Sequence, residues 1–495
     1  MTRCTRRFAA LAFALASALP ATALEFTSQE EIDAVMAQDL NGDGKKELIW
    51  QAGRTLTILF YKEPRGYSFK EETKAEFQLP PGAAAYAFGD VDGKPGAELV
   101  ALTGGGVLAW RFEGNKLVEP ALEPLAVATA FEGATLEKPR PRDFLRDLDR
   151  DGDLDLVVPR KGFFAFYSQA APGEFELSQK VQVEMEATIA MGGGAFENRL
   201  VRAVSFPQFW LSDFDADGKT DLMYFDGAVL RVHGRDGEGL FSSAPTRSFD
   251  FNKFVKRRRK RRDLFDFYRE VSPEIADVDG DKRADVAIML PGKGKVGVFR
   301  AAGAKPYTEG SVVALTGWTF RREGIPMMRD LNRDGRPDLV LLNIPQLGLW
   351  DILEIFFSRK LEVKTFFYLA RADGTFPQAD GEFAVTVPLI LSVTRESQRI
   401  ETPFMMCFGD LNGDGLDDLL TKEKDDRLDV RFGNHNGVFN RAVDRSIEVR
   451  DTRGMAAEPA LVTDLNGDGL EDVVLHHQDF EQKIYVLEVL RTKKE

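Results

Sequence analysis

The sequence predicts an all-β fold, a single β-propeller of eight four-stranded blades, with seven blades as the alternative. Three observations carry this expectation. A short acidic pattern, D-x-D/N-x-D-G-x-x-D/E followed by an apolar run, begins at Asp39, Asp90, Asp147, Asp213, Asp277, Asp330, Asp410 and Asp464. The intervals of 51, 57, 66, 64, 53, 80 and 54 residues are too wide for a solenoid of short calcium repeats and suit one four-stranded sheet each. Around each copy lie short β-type runs. One precedes the acids (strand A, as in Ala84–Phe88) and one follows them (strand B, as in Asp155–Val158). Strand C comes next (Leu428–Phe432), and strand D is expected to start at an aromatic, as at Gly239-Leu240-Phe241 or Gly437-Val438-Phe439.

In chain order, residues 1–23 read as a secretory signal peptide. Arg3, Arg6 and Arg7 form its positive end, Phe8 to Leu19 its apolar segment, and Ala21-Thr22-Ala23 its cleavage site, with the cut before Leu24. Arg6-Arg7 hints at a twin-arginine signal, but Ala9 and Ala10 stand where that signal has bulkier residues, so the general route is expected. The mature chain, 24–495, is then the propeller, in a secreted or periplasmic setting. It keeps one cysteine, Cys407, whose apolar neighbours mark a buried structural thiol. Two cysteines and four histidines in 495 residues exclude a disulfide scaffold and a Cys-rich zinc module. A net charge of −14 argues against nucleic acid as a partner, and no later apolar run is long enough for a transmembrane helix.

The acidic pattern suits calcium, a hard cation that takes about six to eight oxygens. Carboxylates at positions 1, 3 and 5 alternate inward, position 7 offers its carbonyl, and position 9 another acid. A glycine at position 6 permits the turn. The expected ligands are Asp39, Asn41, Asp43, Lys45 and Glu47, then Asp147, Asp149, Asp151, Asp153 and Asp155. Blades 4 and 5 would supply Asp213, Asp215, Asp217, Lys219 and Asp221, and Asp277, Asp279, Asp281, Arg283 and Asp285. The last three sets are Asp330, Asn332, Asp334, Arg336, Asp338; Asp410, Asn412, Asp414, Leu416, Asp418; and Asp464, Asn466, Asp468, Leu470, Asp472. The copy at Asp90 departs, because Lys94 replaces the position-5 acid and can neutralise Asp90, Asp92 and Glu98. Seven calcium ions and one lysine-bridged turn are therefore expected. An EF-hand would need a ligand at position 12, where Trp50, Val158, Tyr224, Ile288, Leu341, Thr421 and Leu475 stand. The seven complete loops hold 24 acidic ligands, so the acidity of the mature chain, −17, is mostly ligand charge.

These units resemble the FG-GAP/VCBS repeats of secreted bacterial proteins and of integrin α-subunit propellers. Phe88-Gly89-Asp90 and Phe408-Gly409-Asp410 carry the Phe-Gly element directly before the acids. The resemblance implies a calcium-bearing propeller and names no activity, since this fold serves adhesion, ligand binding and some polysaccharide lyases.

Closure is read from the ends. The last unit lacks a strand D, and Leu24–Gln29 resembles one, so the N-terminal strand is expected to pair with the C-terminal blade. Residues 491–495 are polar and fall beyond the last strand. Strand alternation puts all acidic loops on one face. The long insertions at 181–205, 245–270, 386–402 and 343–358, the last a short amphipathic helix, go to the other. That opposite face is the expected partner face. It carries Lys256, Arg257, Arg258, Arg259, Lys260, Arg261 and Arg262, a docking patch for an anionic glycan or an acidic protein, or else a solvated segment balanced by Asp263, Asp266 and Glu270. Phe251 and Phe254 are expected to anchor this insertion on the propeller. No nucleophile elbow, zinc-protease helix or phosphate loop occurs. The reading is thus a monomeric, non-enzymatic interaction or adhesion module with structural calcium. A calcium-dependent carbohydrate-active enzyme such as a lyase is the alternative.

Overall fold

A computed structural model gives the fold. It describes residues 23–492 except 64–65, 120, 134–135, 137, 184–185, 193–198, 206, 236–239, 256–272, 291–294, 302–306, 308–311, 315–322, 345–359, 377–382, 391, 394–399, 402–405, 425–426, 436–437, 450–455 and 480–483.

Eight antiparallel sheets follow one another along the chain. Blade 1 contains strands A to D at Ala34–Gln38, Glu47–Ala52, Thr55–Leu59 and Lys74–Gln78. Blades 2 to 7 occupy 83–126, 145–182, 209–250, 273–314, 323–390 and 406–448. Blade 8 has strands A to C at Ala456–Thr463, Asp472–Asp479 and Ile484–Leu490, and its strand D is Ala23–Ser28. The pairing runs in register from Ala23 opposite Leu490 to Ser28 opposite Tyr485. The ring therefore closes as a joint between the two ends of the chain, and the count is eight.

Strands A of blades 1 and 8, of 7 and 8, of 5 and 6, and of 2 and 3 touch, which sets strand A at the centre of the ring. Strand B is buried on both faces, and this explains its unbroken apolar character: side chains alternate between the two neighbouring blades. Leu48 and Trp50 pack toward blade 8, whereas Ile49 packs toward blade 2. The core is accordingly split into eight clusters, one in each interface between blades. The cluster that joins blade 8 to blade 1 holds Phe26, Leu48, Trp50, Leu465, Val474 and Tyr485.

Several expectations need correction. Strand D of blades 4 and 7 is Arg247–Asp250 and Arg445–Glu448, not the aromatic turns at 239–241 and 437–439. Phe241 and Phe439 are instead 2% and 4% exposed and plug the interfaces of blades 3–4 and 6–7. Of the insertions, 181–182 and 386–390 belong to strands D of blades 3 and 6. Beyond them lie two separate hairpins, Glu186–Gly192 with Arg199–Ser205 and Ser392–Val393 with Ile400–Glu401. Of the helix expected at 343–358, residues 343 and 344 end strand B of blade 6 (Asp338–Ile344), and the remainder lies outside the described residues. So does the basic run Lys256–Arg262. Phe251 and Phe254 do anchor the segment before it, packing on Phe299 at 5.0 and 4.6 Å between ring centroids. Residues 491 and 492 do fall beyond the last strand, which ends at Leu490, and Thr492 there is 5% exposed.

Candidate metal loops

Seven of the eight A–B connections are loops of one build, and that of blade 2 is a variant of it. Position 1 folds back on the loop: in loop 1 the Asp39 carboxylate accepts the N–H groups of Gly42 at 2.7 Å and Gly44 at 2.8 Å. The position-5 carboxylate accepts the N–H of position 7, as Asp43 does from Lys45 and Asp414 from Leu416, at 2.9 and 2.8 Å. Two residues in each loop are left-handed. In seven loops they stand at positions 4 and 6, as in Gly42 and Gly44, φ 73° and 82°. The sequence reading credited only position 6. Loop 5 shows why both matter: Gly280 fills position 4, so position 6 falls to Lys282 at φ 68°. Arg150, Ala216 and Arg333 carry the same conformation at position 4.

Position 2, not part of the acidic signature, is always apolar and buried. Leu40, Val91, Leu148, Phe214, Val278, Leu331, Leu411 and Leu465 are all at most 5% exposed, and each enters the core facing the next blade. The loop is thereby pinned by a hydrophobic foot, and its acids cannot drift apart.

The position-9 acids are buried. One oxygen accepts the N–H of position 2: Glu47 from Leu40 at 2.6 Å, Asp338 from Leu331 at 3.0 Å. In six loops the other oxygen accepts an N–H from strand C or just beyond it. The pairs are Asp155 with Gln169, Asp221 with Arg235, Asp285 with Ala301, Asp338 with Ala370, Asp418 with Gly433 and Asp472 with Thr492, at 2.8 to 3.2 Å. This acid is a staple between loop and blade as well as a candidate ligand, since each oxygen keeps a second lone pair. Burial pushes Glu47 up to about 8, Asp285 and Asp418 to about 7, and Asp155, Asp221, Asp338 and Asp472 to about 6, with the neighbouring loop acids adding to it.

Where positions 1, 3 and 9 are all acids, one oxygen from each lies within 4.8 Å of the others. The groups are Asp90, Asp92 and Glu98; Asp147, Asp149 and Asp155; Asp213, Asp215 and Asp221; and Asp277, Asp279 and Asp285. The remaining loops have Asn41, Asn332, Asn412 or Asn466 at position 3. Carboxylate and carbonyl oxygens are hard donors, and like charges this close are relieved by a cation, so the residues fit a divalent metal ion, except in loop 2, where side-chain cations already stand on Asp92. Lys94 does reach Asp92, at 3.4 Å, but a second cation that the sequence reading missed, Arg111, lies closer, at 3.2 Å.

Neighbouring loops are also wired together. The position-8 N–H donates to the loop of the preceding blade: Lys46 to Leu465 O, Ala97 to Asp39 O and Glu471 to Asp410 O, at 2.9 to 3.0 Å. Away from the loops, burial pushes the Cys407 thiol up to about 12, as suits a structural residue.

Residues 397–475, running from the hairpin segment after blade 6 through blade 7 into strand B of blade 8, match the FG-GAP-like repeat family. The chain is thus an eight-bladed β-propeller that carries an FG-GAP-like repeat over 397–475. A search of curated proteins gives no match. Among solved structures, a lectin of Agrocybe aegerita that recognises non-reducing terminal N-acetylglucosamine is 15% identical, covering 74% of this chain and 86% of its own, with a TM-score of 0.39. A 6-phosphogluconolactonase-like protein from Bacteroides uniformis is 12% identical, covering 85% and 98%, with a TM-score of 0.33. Likenesses this distant carry no argument about function. Among the described residues no helix is long and apolar enough to cross a membrane. An FG-GAP propeller supports a protein-interaction module in general terms.

Proposed function

We propose that the protein is a secreted or periplasmic, non-enzymatic interaction module, stabilised by about seven structural calcium ions and engaging its partner on the face opposite the loops. The recurrence of an acidic loop at the same place in every blade carries this reading: seven copies of one chemistry and one variant in a ring support the scaffold, whereas catalysis needs one exceptional site. Calcium is favoured over softer or smaller ions because the donors are all oxygen and each loop offers several carboxylate and carbonyl groups.

The partner face is favoured by the excursions gathered there. Both hairpins leave the ring from D–A connections, and a groove on that side is lined by Gly82, Thr103, Gly104, Ala128 and Phe131. The partner is a protein or an anionic glycan, with Lys256–Arg262 as the cationic contact and the chain acting as a monomer. Immobilised protein in calcium buffer is expected to retain an acidic polysaccharide more strongly than a neutral one. Replacing Lys256–Arg262 with serines should abolish the difference; equal retention of the two polymers would refute the cationic contact. Export is tested by sequencing the N-terminus of the exported chain, which should begin at Leu24.

A further inference from the structure

Loop 2 is built differently from the other seven, and the differences converge. Its position 6 is Pro95, which has no N–H, whereas in every other loop the position-6 N–H donates to the position-1 carboxylate at 2.8 to 3.2 Å. The second left-handed residue moves to position 7, Gly96, at φ 102°. Glu98 is 0% exposed and takes the Val91 N–H at 2.8 Å; as in loop 1 its other oxygen takes no bond from strand C, but in loop 1 that oxygen accepts the Asn41 side chain instead. In the place of that staple stands Arg111, the residue after strand C. Its Nη1 is 3.2 Å from Asp92 Oδ2 and its Nη2 is 2.8 Å from Glu113 Oε1. Arg111 is 18% exposed and Asp92 9%, whereas Lys94 is 59% exposed, so the arginine pair is shielded and the lysine pair is screened by water.

The opposite end of blade 2 is tied as well, without any loop acid. The segment after its strand D turns back and adds Arg140–Pro141 as a fifth, parallel strand on the free edge of strand A, opposite Ala85 and Tyr86. Pro139 O accepts the Gln51 side chain at 2.6 Å, Leu136 O accepts Arg54 at 2.7 Å, and Lys138 bridges Glu31 and Asp33 at 2.8 and 2.7 Å.

We propose that blade 2 is the metal-independent sector of the ring: Arg111, not Lys94, is the resident cation of its loop, and the strap 136–142 locks its other end. This rests on the calcium reading of the remaining loops. When calcium is withdrawn, blade 1 and blades 3 to 8 lose their loop order while blade 2 keeps its own.

Hydrogen exchange in chelator tests this on the full mature chain, unaltered and as Lys94→Gln and Arg111→Gln. Amides of 90–103 should stay protected while those of 147–160, 277–290 and 410–424 lose protection. Arg111→Gln should speed exchange at 90–103 by about fivefold, as expected for a partly buried pair, and Lys94→Gln should leave it within about twofold. If Arg111→Gln unfolds the protein, Arg111→Lys, which keeps the charge, should restore the protection. An effect of Lys94→Gln equal to or greater than that of Arg111→Gln would overturn the proposal. So would loss of protection at 90–103 together with the other loops in the unaltered chain. If no loop responds to chelator and no calcium is bound, the calcium reading fails, and the comparison of the two variants still decides which cation holds Asp92.

Discussion

Asp472 Oδ1 accepts the N–H of Thr492 at 2.8 Å, tying the end of the chain to the acidic loop of blade 8. The Thr492 hydroxyl donates to Glu471 O at 2.7 Å, and Arg491 reaches the Tyr61 hydroxyl of blade 1 at 3.0 Å. The tail thus substitutes for the turn that would lead into a strand D, while strand D itself comes from the other end of the chain. Removing 491–495 is expected to destabilise the protein by about 1–3 kcal/mol, the cost of a buried acceptor left unmet. Removing 24–28 should cost more, because it bares the edge of strand C and takes Phe26 out of the core between blades 8 and 1. Urea midpoints of the two truncations give the order; a silent N-terminal deletion would contradict the closure.

The Phe-Gly element has a steric cause. A Cβ on Gly409 would lie 2.4 Å from Val462 Cγ1 and 2.6 Å from Glu471 Oε2, and one on Gly89 would lie 2.5 Å from Leu154 Cδ1. Each glycine sits where the next blade presses against strand A. Gly409→Ala is expected to destabilise by about 1–3 kcal/mol through overpacking. Gly82→Ala, which meets nothing within 4 Å, should be close to neutral. Thermal unfolding of the two variants distinguishes them.

Left-handed residues without glycine are points where stability can be gained. Ala216, at φ 61°, makes no use of its side chain in the loop's hydrogen bonds, and Ala216→Gly should stabilise by up to about 1 kcal/mol. Lys282→Gly should do the same in loop 5. A lower urea midpoint in either variant would contradict the strain argument.

Protons compete with metal at position 9. Burial holds these acids above their unfolded values, so the metal-free folded chain binds more protons than the unfolded chain between about pH 4 and the folded values of about 6 to 8. Stability without metal is therefore complete at the acid end of this window and falls as the pH rises through it. In chelator the melting temperature is expected to drop from pH 5 to pH 8, and the gain on adding calcium should be largest at pH 8. A metal-free protein that becomes more stable over that range would refute the assignment.

The repeat was legible because its parts are local: acids two residues apart, a glycine, and an apolar run fit within a dozen positions. The closure was legible because the missing strand D and the spare N-terminal strand complement each other. Arg111 was not, since it lies 19 residues from Asp92 and meets it only after strands B and C have paired. Leu40 and its counterparts were visible in the sequence at a fixed position, but their meaning needs the neighbouring blade. The aromatic turns at Phe241 and Phe439 read as strand because a buried aromatic in a turn has the composition of a strand start. Nothing local marks Arg140–Pro141 as a fifth strand, because its partner is settled by where the strap runs.

The central claim is that the acidic loops hold calcium as part of the fold. The direct measurement is the calcium bound per mature chain after dialysis into a buffer whose only divalent metal is calcium, at a few times its typical extracellular dissociation constant of about 10⁻⁴–10⁻³ M. About seven ions are expected, one for each loop with an acid at position 5 and none for loop 2. Zero or one would contradict the structural role of the loops, and eight would show that loop 2 binds calcium in spite of Arg111 and Lys94.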